Sequence, residues 1–302
     1  IKKRKSKLSV VREIRRLCLM YRADVFFAHG YREHIWGRIG ALLARVPNIV
    51  HVEHNMERYS WINLLLARML RFYTNRTVCV SSSVLLNVKK LKIAATSSEV
   101  IFNAVENSIW PVEGERRITE DIVMAARFSK QKDPITLIKA IGKIVATGWA
   151  GTLFFAGDGE SEIKKECEHL VVKMGLTERV KFLGYVEDMP ELFGRCRISV
   201  LSTFFEGMPL ALLEAMMAGC VVVGSDVPGV RDVIIDKETG YLFPAGDDVR
   251  LAAILEYLLK SDKIHEIVEK ASKRLERDFS PLEMGRKYDN CCQDVRRLNS
   301  DD

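Results

Sequence analysis

A chain of 302 residues with 48% hydrophobic and 28% charged content describes a soluble globular protein long enough for two ordinary domains. Its seven cysteines, odd in number and without a C-x-x-C pair, exclude a disulfide framework and favour a reducing cytoplasm, and no apolar run approaches the roughly 20 residues of a membrane-spanning helix. The net charge of +6 hides an asymmetry, because residues 1–110 carry 19 Lys and Arg against 7 Asp and Glu, and the remainder 27 against 33.

The chain opens on Lys2-Lys3-Arg4-Lys5-Ser6-Lys7, a run that binds phosphate backbones nonspecifically. No recognition module or interleaved aromatic platform accompanies it, so specific nucleic-acid binding is not expected. Helices are expected near 8–20, 33–45, 58–73 and 82–90, and strands at 24–28, 48–53, 76–80 and 99–102. This βα alternation predicts a parallel sheet. Within it, Trp61–Leu70 (WINLLLARML), flanked by Arg58 and Arg71, either lies at an anionic bilayer surface or packs into a core with its arginines in water.

Four of the six histidines fall between positions 29 and 54. His29, followed by Gly30, and His54 both end strands. His51 and His54 are three apart near a strand and so point to opposite faces, which argues against a shared metal ion.

A linker is expected at 103–120, broken by Pro111 and Gly114, before the second half begins with a strand at 121–126. Arg127 and Lys132 follow in a loop that leads to a helix near Pro134. A fork-shaped guanidinium and a point-charge ammonium there can share a diphosphate, or can be ordinary solvated loop charges. Further on, a buried strand at 197–202 runs into Phe205-Glu206-Gly207-Met208-Pro209-Leu210, then an apolar helix carrying Glu214, then a strand at 219–226. The turn therefore lies at the carboxyl end of a strand, where open α/β sheets place ligands. Pro209 can open the helix at its first position, and Gly207 lets the backbone come close to a ligand. Free amides near Gly207, Met208 and Leu210 can hold developing negative charge without a metal. Glu206 and Glu214, eight positions apart, can reach sugar hydroxyls and the paired hydroxyls of a ribose. No Asp-x-Asp occurs, so metal chelation of a diphosphate is not expected. A final helix is expected at about 281–298.

These residues resemble a GT-B glycosyltransferase of the large retaining family 4. The glutamate pair Glu206 and Glu214, the cations Arg127 and Lys132, the glycine turn Ala156-Gly157-Asp158-Gly159-Glu160, the stretch 222–230 (VVGSDVPGV) and Glu238-Thr239-Gly240-Tyr241-Leu242-Phe243 carry the likeness. The resemblance implies an α/β fold of two Rossmann-like doubly wound domains facing a cleft. It implies an incomplete first domain at 1–112, a nucleotide-sugar domain at 113–279, and a helix at 280–302 crossing back to the first. By the same likeness Arg127 and Lys132 bind the donor diphosphate with Gly207, Met208, Pro209 and Leu210, Glu214 binds the ribose, and Glu206 binds the transferred sugar. His54 matches a histidine that assists near donor sugar and phosphate, and His29, Gly30 and Asn103 are candidates for the acceptor side or cleft. Ala104 stands where the family has glycine. The implied reaction moves a hexose or N-acetylhexosamine from a UDP- or GDP-sugar, without a metal or other cofactor, to a glycan or polyprenyl-linked acceptor of the cell envelope. A cytoplasmic protein, peripheral on the inner face of the membrane through its basic half, is expected. A nucleotide-sugar epimerase and a nucleotide-sugar-binding protein without turnover are the alternatives. The chain begins at Ile1 with a helix where the family begins with a strand and a glycine-rich loop, so a fragment is expected.

Overall fold

Strand and helix alternate to build two parallel sheets, each in its own unit of a computed structural model that describes residues 6–30, 33–56, 59–106 and 119–297. One unit is Ile1–Asn103 with Leu282–Asp302, and the other is Ala104–Pro281. The basic residues 2–5, Arg58, and the linker residues 107–118 with the boundary expected at 112 lie outside the described residues.

The first unit runs α1 (Lys7–Met20), β1 (Val25–His29), α2 (Glu33–Leu43), β2 (Asn48–Glu53), α3 (Trp61–Leu70), β3 (Arg76–Cys79), α4 (Ser82–Lys90) and β4 (Ser97–Val100). Its four strands pair in sequence order, all parallel. Every residue of β2 is buried, as a central strand covered on both faces requires. Two corrections to the expected elements have local causes. The last strand is Ser97–Val100 and not 99–102, because its register is set by pairing of Arg76 with Ser97 and Cys79 with Val100, and not by the apolar run that follows. The helix expected over 58–73 is shorter, since Ser60 caps it by accepting from the Asn63 amide and residues Arg71–Tyr73 tighten into a 3-10 turn.

On α3, Ala67 and Leu70 face inward, whereas Trp61, Ile62, Leu65 and Met69 are exposed, together with Phe72 and Tyr73 of the turn. Trp61 is 76% and Phe72 75% exposed, so burial does not account for this apolar face. The terminal helix α12 (Pro281–Arg297) joins the same unit. Its Cys291 and Val295 pack with Val50, Val52, Val78 and Ile101, and its Asp294 takes Arg76 at 3.1 Å while Glu99 takes the same nitrogen at 2.8 Å.

In the second unit come β5 (Ile122–Ala125), α5 (Pro134–Ala146), β6 (Leu153–Ala156), α6 (Ser161–Lys173), β7 (Val180–Gly184), α7 (Met189–Arg195), β8 (Ile198–Leu201), α8 (Leu210–Met217), β9 (Val221–Ser225), α9 (Pro228–Arg231), β10 (Tyr241–Phe243), α10 (Asp248–Lys260) and α11 (Ile264–Asp278). The sheet order is β10-β9-β8-β5-β6-β7, all parallel. Strand order therefore reverses between β5 and β8, and the loops leaving their carboxyl ends open a crevice at the position where such sheets take ligands. All seven cysteines are free thiols, six of them buried.

Candidate functional site

The reversal brings the loop after β5 against the loop after β8. Asp133 makes the first loop turn back by adopting a left-handed conformation, φ 37°, and then caps α5 by accepting from the Thr136 amide at 3.3 Å and its hydroxyl at 2.6 Å. The two loops are laced together. Gln131 donates from Nε2 to the Phe205 carbonyl at 2.6 Å and accepts at its own carbonyl from the Phe204 amide at 2.9 Å. Ser202 donates to the Asp133 carbonyl at 2.8 Å.

This lacing sets Lys132 against Glu206, 2.5 Å from Nζ to Oε1. The pair is largely dry, with the lysine side chain 18% and the glutamate 8% exposed, and the Thr203 hydroxyl lies 2.9 Å from the same oxygen. Arg127 is exposed and takes no partner among the described residues. Its backbone is fixed from below by the glycine turn. The Phe128 amide donates to the Asp158 carbonyl at 3.0 Å, and a Cβ at Gly157, whose φ is +137°, would lie 2.4 Å from the Ala126 carbonyl oxygen.

Gly207 and Met208 are buried in the turn. Pro209 stands one residue earlier than expected: its ψ of 103° is extended, so it is the cap of α8 and Leu210 is the first helical residue. The amides of Leu210 and Ala211 have no main-chain partner among the described residues, and the positive end of the α8 dipole is open there to an anion. The turn is held from behind by Gly229, where a Cβ would come 2.4 Å from the Glu206 carbonyl oxygen and 2.6 Å from that of Gly207. The Glu214 carboxyl, half-buried on α8, has no hydrogen-bond partner among the described residues, and burial holds it above the usual range. Lys132 and Glu206 thus meet at the strand reversal just before the start of α8, with Arg127 on the same loop as Lys132 and Glu214 on α8 itself.

In the first unit, His29 and His54 meet at the carboxyl ends of the adjacent strands β1 and β2, with His29 Nδ1 2.9 Å from His54 Nε2. Burial lowers both imidazoles; at His54 the neighbouring His29 adds to this and the Glu53 carboxylate opposes it. Gly30, at φ +82°, turns the chain so that its carbonyl accepts from the His34 amide at the start of α2. Asn103 lies beyond β4 at the end of this stretch of the unit.

Sequence reasoning missed the residues behind His54. His34 stacks on His51 at 4.3 Å, and their ring nitrogens and the Glu53 carboxylate lie within 4.8 Å of one another. Arg38, which can only donate, stands 2.8 Å from His34 Nδ1. His34 therefore keeps its hydrogen on Nε2, which leaves a hydrogen-bond chain and not a metal donor set. The available signal was the pair His51 and Glu53 at alternate positions of an otherwise apolar strand.

Comparisons with known proteins agree with this fold. The family described as Glycosyl transferases group 1 matches residues 111–275, and Glycosyltransferase Family 4 matches residues 1–108. The chain is 24% identical over 294 residues to UDP-Gal:alpha-D-GlcNAc-diphosphoundecaprenol alpha-1,3-galactosyltransferase of Escherichia coli, covering 87% of this chain and 74% of that protein. It is 30% identical over 161 residues to a Campylobacter jejuni GalNAc-alpha-(1->4)-GalNAc-alpha-(1->3)-diNAcBac-PP-undecaprenol alpha-1,4-N-acetyl-D-galactosaminyltransferase, covering 52% of this chain and 44% of that one. Anabaena HepE in complex with UDP shares the fold with a TM-score of 0.85 at 19% identity, over 94% of this chain and 82% of HepE.

Proposed function

The chain belongs to the glycosyl transferases group 1 family and is a glycosyltransferase, and we propose that it moves a hexose or N-acetylhexosamine from a UDP- or GDP-sugar, with retention, to a glycan or polyprenyl-linked acceptor. The observation that carries this reading is the crevice at the strand reversal, where Lys132 meets Glu206 just before the start of α8. In it Arg127, Lys132 and the amides of Leu210 and Ala211 take the diphosphate, Glu214 takes the ribose, and Glu206 takes the transferred sugar. His54 serves the reaction from the first unit, and His29, Gly30 and Asn103 serve the acceptor side. The diphosphate is stabilised by these groups without a divalent cation. UDP is favoured as the donor base by the UDP complex of the HepE neighbour, and a polyprenyl-linked acceptor by the diphosphoundecaprenol substrate named for the Escherichia coli relative.

A thermal-shift screen with UDP, GDP, ADP and their sugar conjugates, run beside Glu214→Ala and Arg127→Ala, tests the donor site. Stabilisation by one nucleotide family that both substitutions abolish supports it, and stabilisation that survives both overturns it. Product analysis then separates transfer from the alternatives. An epimerase returns an altered donor with no acceptor present, and a binding protein returns the donor unchanged. Complete loss of transfer in chelator would refute the metal-free reading.

The exposed apolar face of α3 and its 3-10 turn, with Arg68 and Arg71 alongside and Lys89, Lys90 and Lys92 nearby in sequence, suits peripheral contact with an anionic membrane. Co-sedimentation with phosphatidylglycerol vesicles that Trp61→Ser with Phe72→Ser abolishes would support that contact; equal sedimentation of both proteins would remove it.

A further inference from the structure

A strand buried along its whole length normally carries apolar side chains on both faces, yet β2 places His51 and Glu53 on one face, two residues apart. Both are fully enclosed, at 0% and 1% exposure, and so are His34 and Arg38, which face them from one side of α2, four residues apart. Ionised groups in a dry interior are retained only when each finds partners, and an apolar set of similar volume is often no less stable. A cluster of this kind therefore calls for a reason other than stability.

The hydrogen positions can be followed from one end. Arg38 only donates: to the His34 carbonyl at 3.1 Å, to the Thr74 hydroxyl at 3.0 Å and to His34 Nδ1 at 2.8 Å. The His34 hydrogen is thereby placed on Nε2, which donates to the Tyr59 hydroxyl at 2.9 Å. Tyr59 in turn donates to Glu53 Oε2 at 2.7 Å. At the far end the Glu53 main-chain carbonyl accepts from the Val80 amide at 3.2 Å, which holds the end of β2 just before His54. Burial lowers the Arg38 guanidinium only to about 10, so it stays charged; burial also raises the Glu53 carboxyl above its usual range, and the hydrogen bond from Tyr59 opposes that rise.

We propose that Glu53 is the positioning residue for His54: its carboxyl group, held by Tyr59 and backed by His34 and Arg38, fixes the strand end from which His54 reaches His29. The proposal rests, for its consequence in transfer, on the reading that His54 serves the reaction. The charged and titratable groups around the His54 ring within this unit are His29 on β1 and His51 and Glu53 on β2.

The test is nuclear magnetic resonance of the full chain labelled with nitrogen-15 at histidine, with the His54 ring assigned by loss of its signals in His54→Gln. Glu53→Gln keeps the shape and an oxygen that can accept from Tyr59, but removes the charge. The His54 titration midpoint falls in it, its tautomer balance changes, and kcat drops about tenfold or more while the donor KM stays within about threefold. Tyr59→Phe moves the same readouts in the same direction by less. A Glu53→Gln protein that folds with the His54 signals, midpoint and kcat of the wild type overturns the proposal. Should Glu53→Gln fail to fold, Tyr59→Phe decides, and an unchanged His54 ring in that variant overturns it equally. Full transfer by His54→Ala, alongside a His54 ring that still moves in Glu53→Gln, keeps the positioning role and rejects the catalytic reading of His54.

Discussion

Replacing Lys132 by methionine removes one half of the ion pair at the strand reversal and shows how much of the crevice depends on it. At 2.5 Å and an effective dielectric constant of about 20, two unit charges attract by roughly 6–7 kcal/mol. Most of this is offset by the hydration that both ions give up. What remains is asymmetric, because Glu206 is drier than Lys132. Lys132→Met leaves a nearly buried carboxylate beside the Thr203 hydroxyl, at a cost of about 3 kcal/mol, the low end of the range for broken buried pairs. Glu206→Gln leaves an ammonium that can still reach water, at about 1–2 kcal/mol. The double substitution then costs less than the sum of the two, with a coupling of about 1.5 kcal/mol or more. In a unit of this size the Lys132→Met loss corresponds to a melting temperature lower by roughly 6–12 °C. Urea denaturation of the four proteins, with calorimetry alongside, measures each corner of the cycle. Additivity within about 0.5 kcal/mol, or a Lys132→Met protein as stable as the wild type, would refute the ion pair as described.

Glu214→Gln should raise the unliganded melting temperature at pH 7 while weakening nucleotide binding about tenfold or more. Burial lifts the folded-state pKa of Glu214 above its unfolded value, so its contribution to stability is fully present below the unfolded pKa and lost as pH rises through the folded one. Melting curves at pH 4 and pH 7 check this, and a lower melting temperature at pH 7 for the variant refutes it. Gly229→Ala forces a Cβ against the Glu206 and Gly207 carbonyls, so calorimetry should show a loss of about 2 kcal/mol and titration a weaker nucleotide site. The thiols of Cys79, Cys167 and Cys291 are pushed up to about 12 by burial, so Ellman's reagent at pH 8 should label native protein slowly and all seven cysteines once it is unfolded. Rapid labelling of three or more native thiols would contradict that burial.

The alternation of strands and helices was legible because each interior strand is an apolar run bounded by charge, glycine or proline. β4 was misplaced by two residues because Ser97 and Ser98 carry no strand signal of their own and are fixed by pairing with β3. Loops at carboxyl strand ends were readable as ligand-facing. The contact between Lys132 and Glu206 was not, since it joins residues 74 apart and depends on β5 lying beside β8. The placement of Pro209 was misjudged by one residue because proline fixes φ and leaves ψ free to end the turn either way. His34 escaped notice for another reason. A lone polar residue on a helix has no meaning until the strand opposite it is known, and here that strand carries His51 and Glu53.

The return of α12 to the first unit gives the chain an unusual order of assembly. Val50, Val52, Val78 and Ile101 are made before the second unit, but Cys291 and Val295, which complete their cluster, only after it. At about 5–20 residues per second, the whole second unit must be made while that sheet face stands open, for roughly ten seconds or more. During synthesis the first unit thus keeps part of its apolar cluster uncovered until α12 emerges. The second unit, whose own sheet is finished before α12 emerges, can fold first despite coming later.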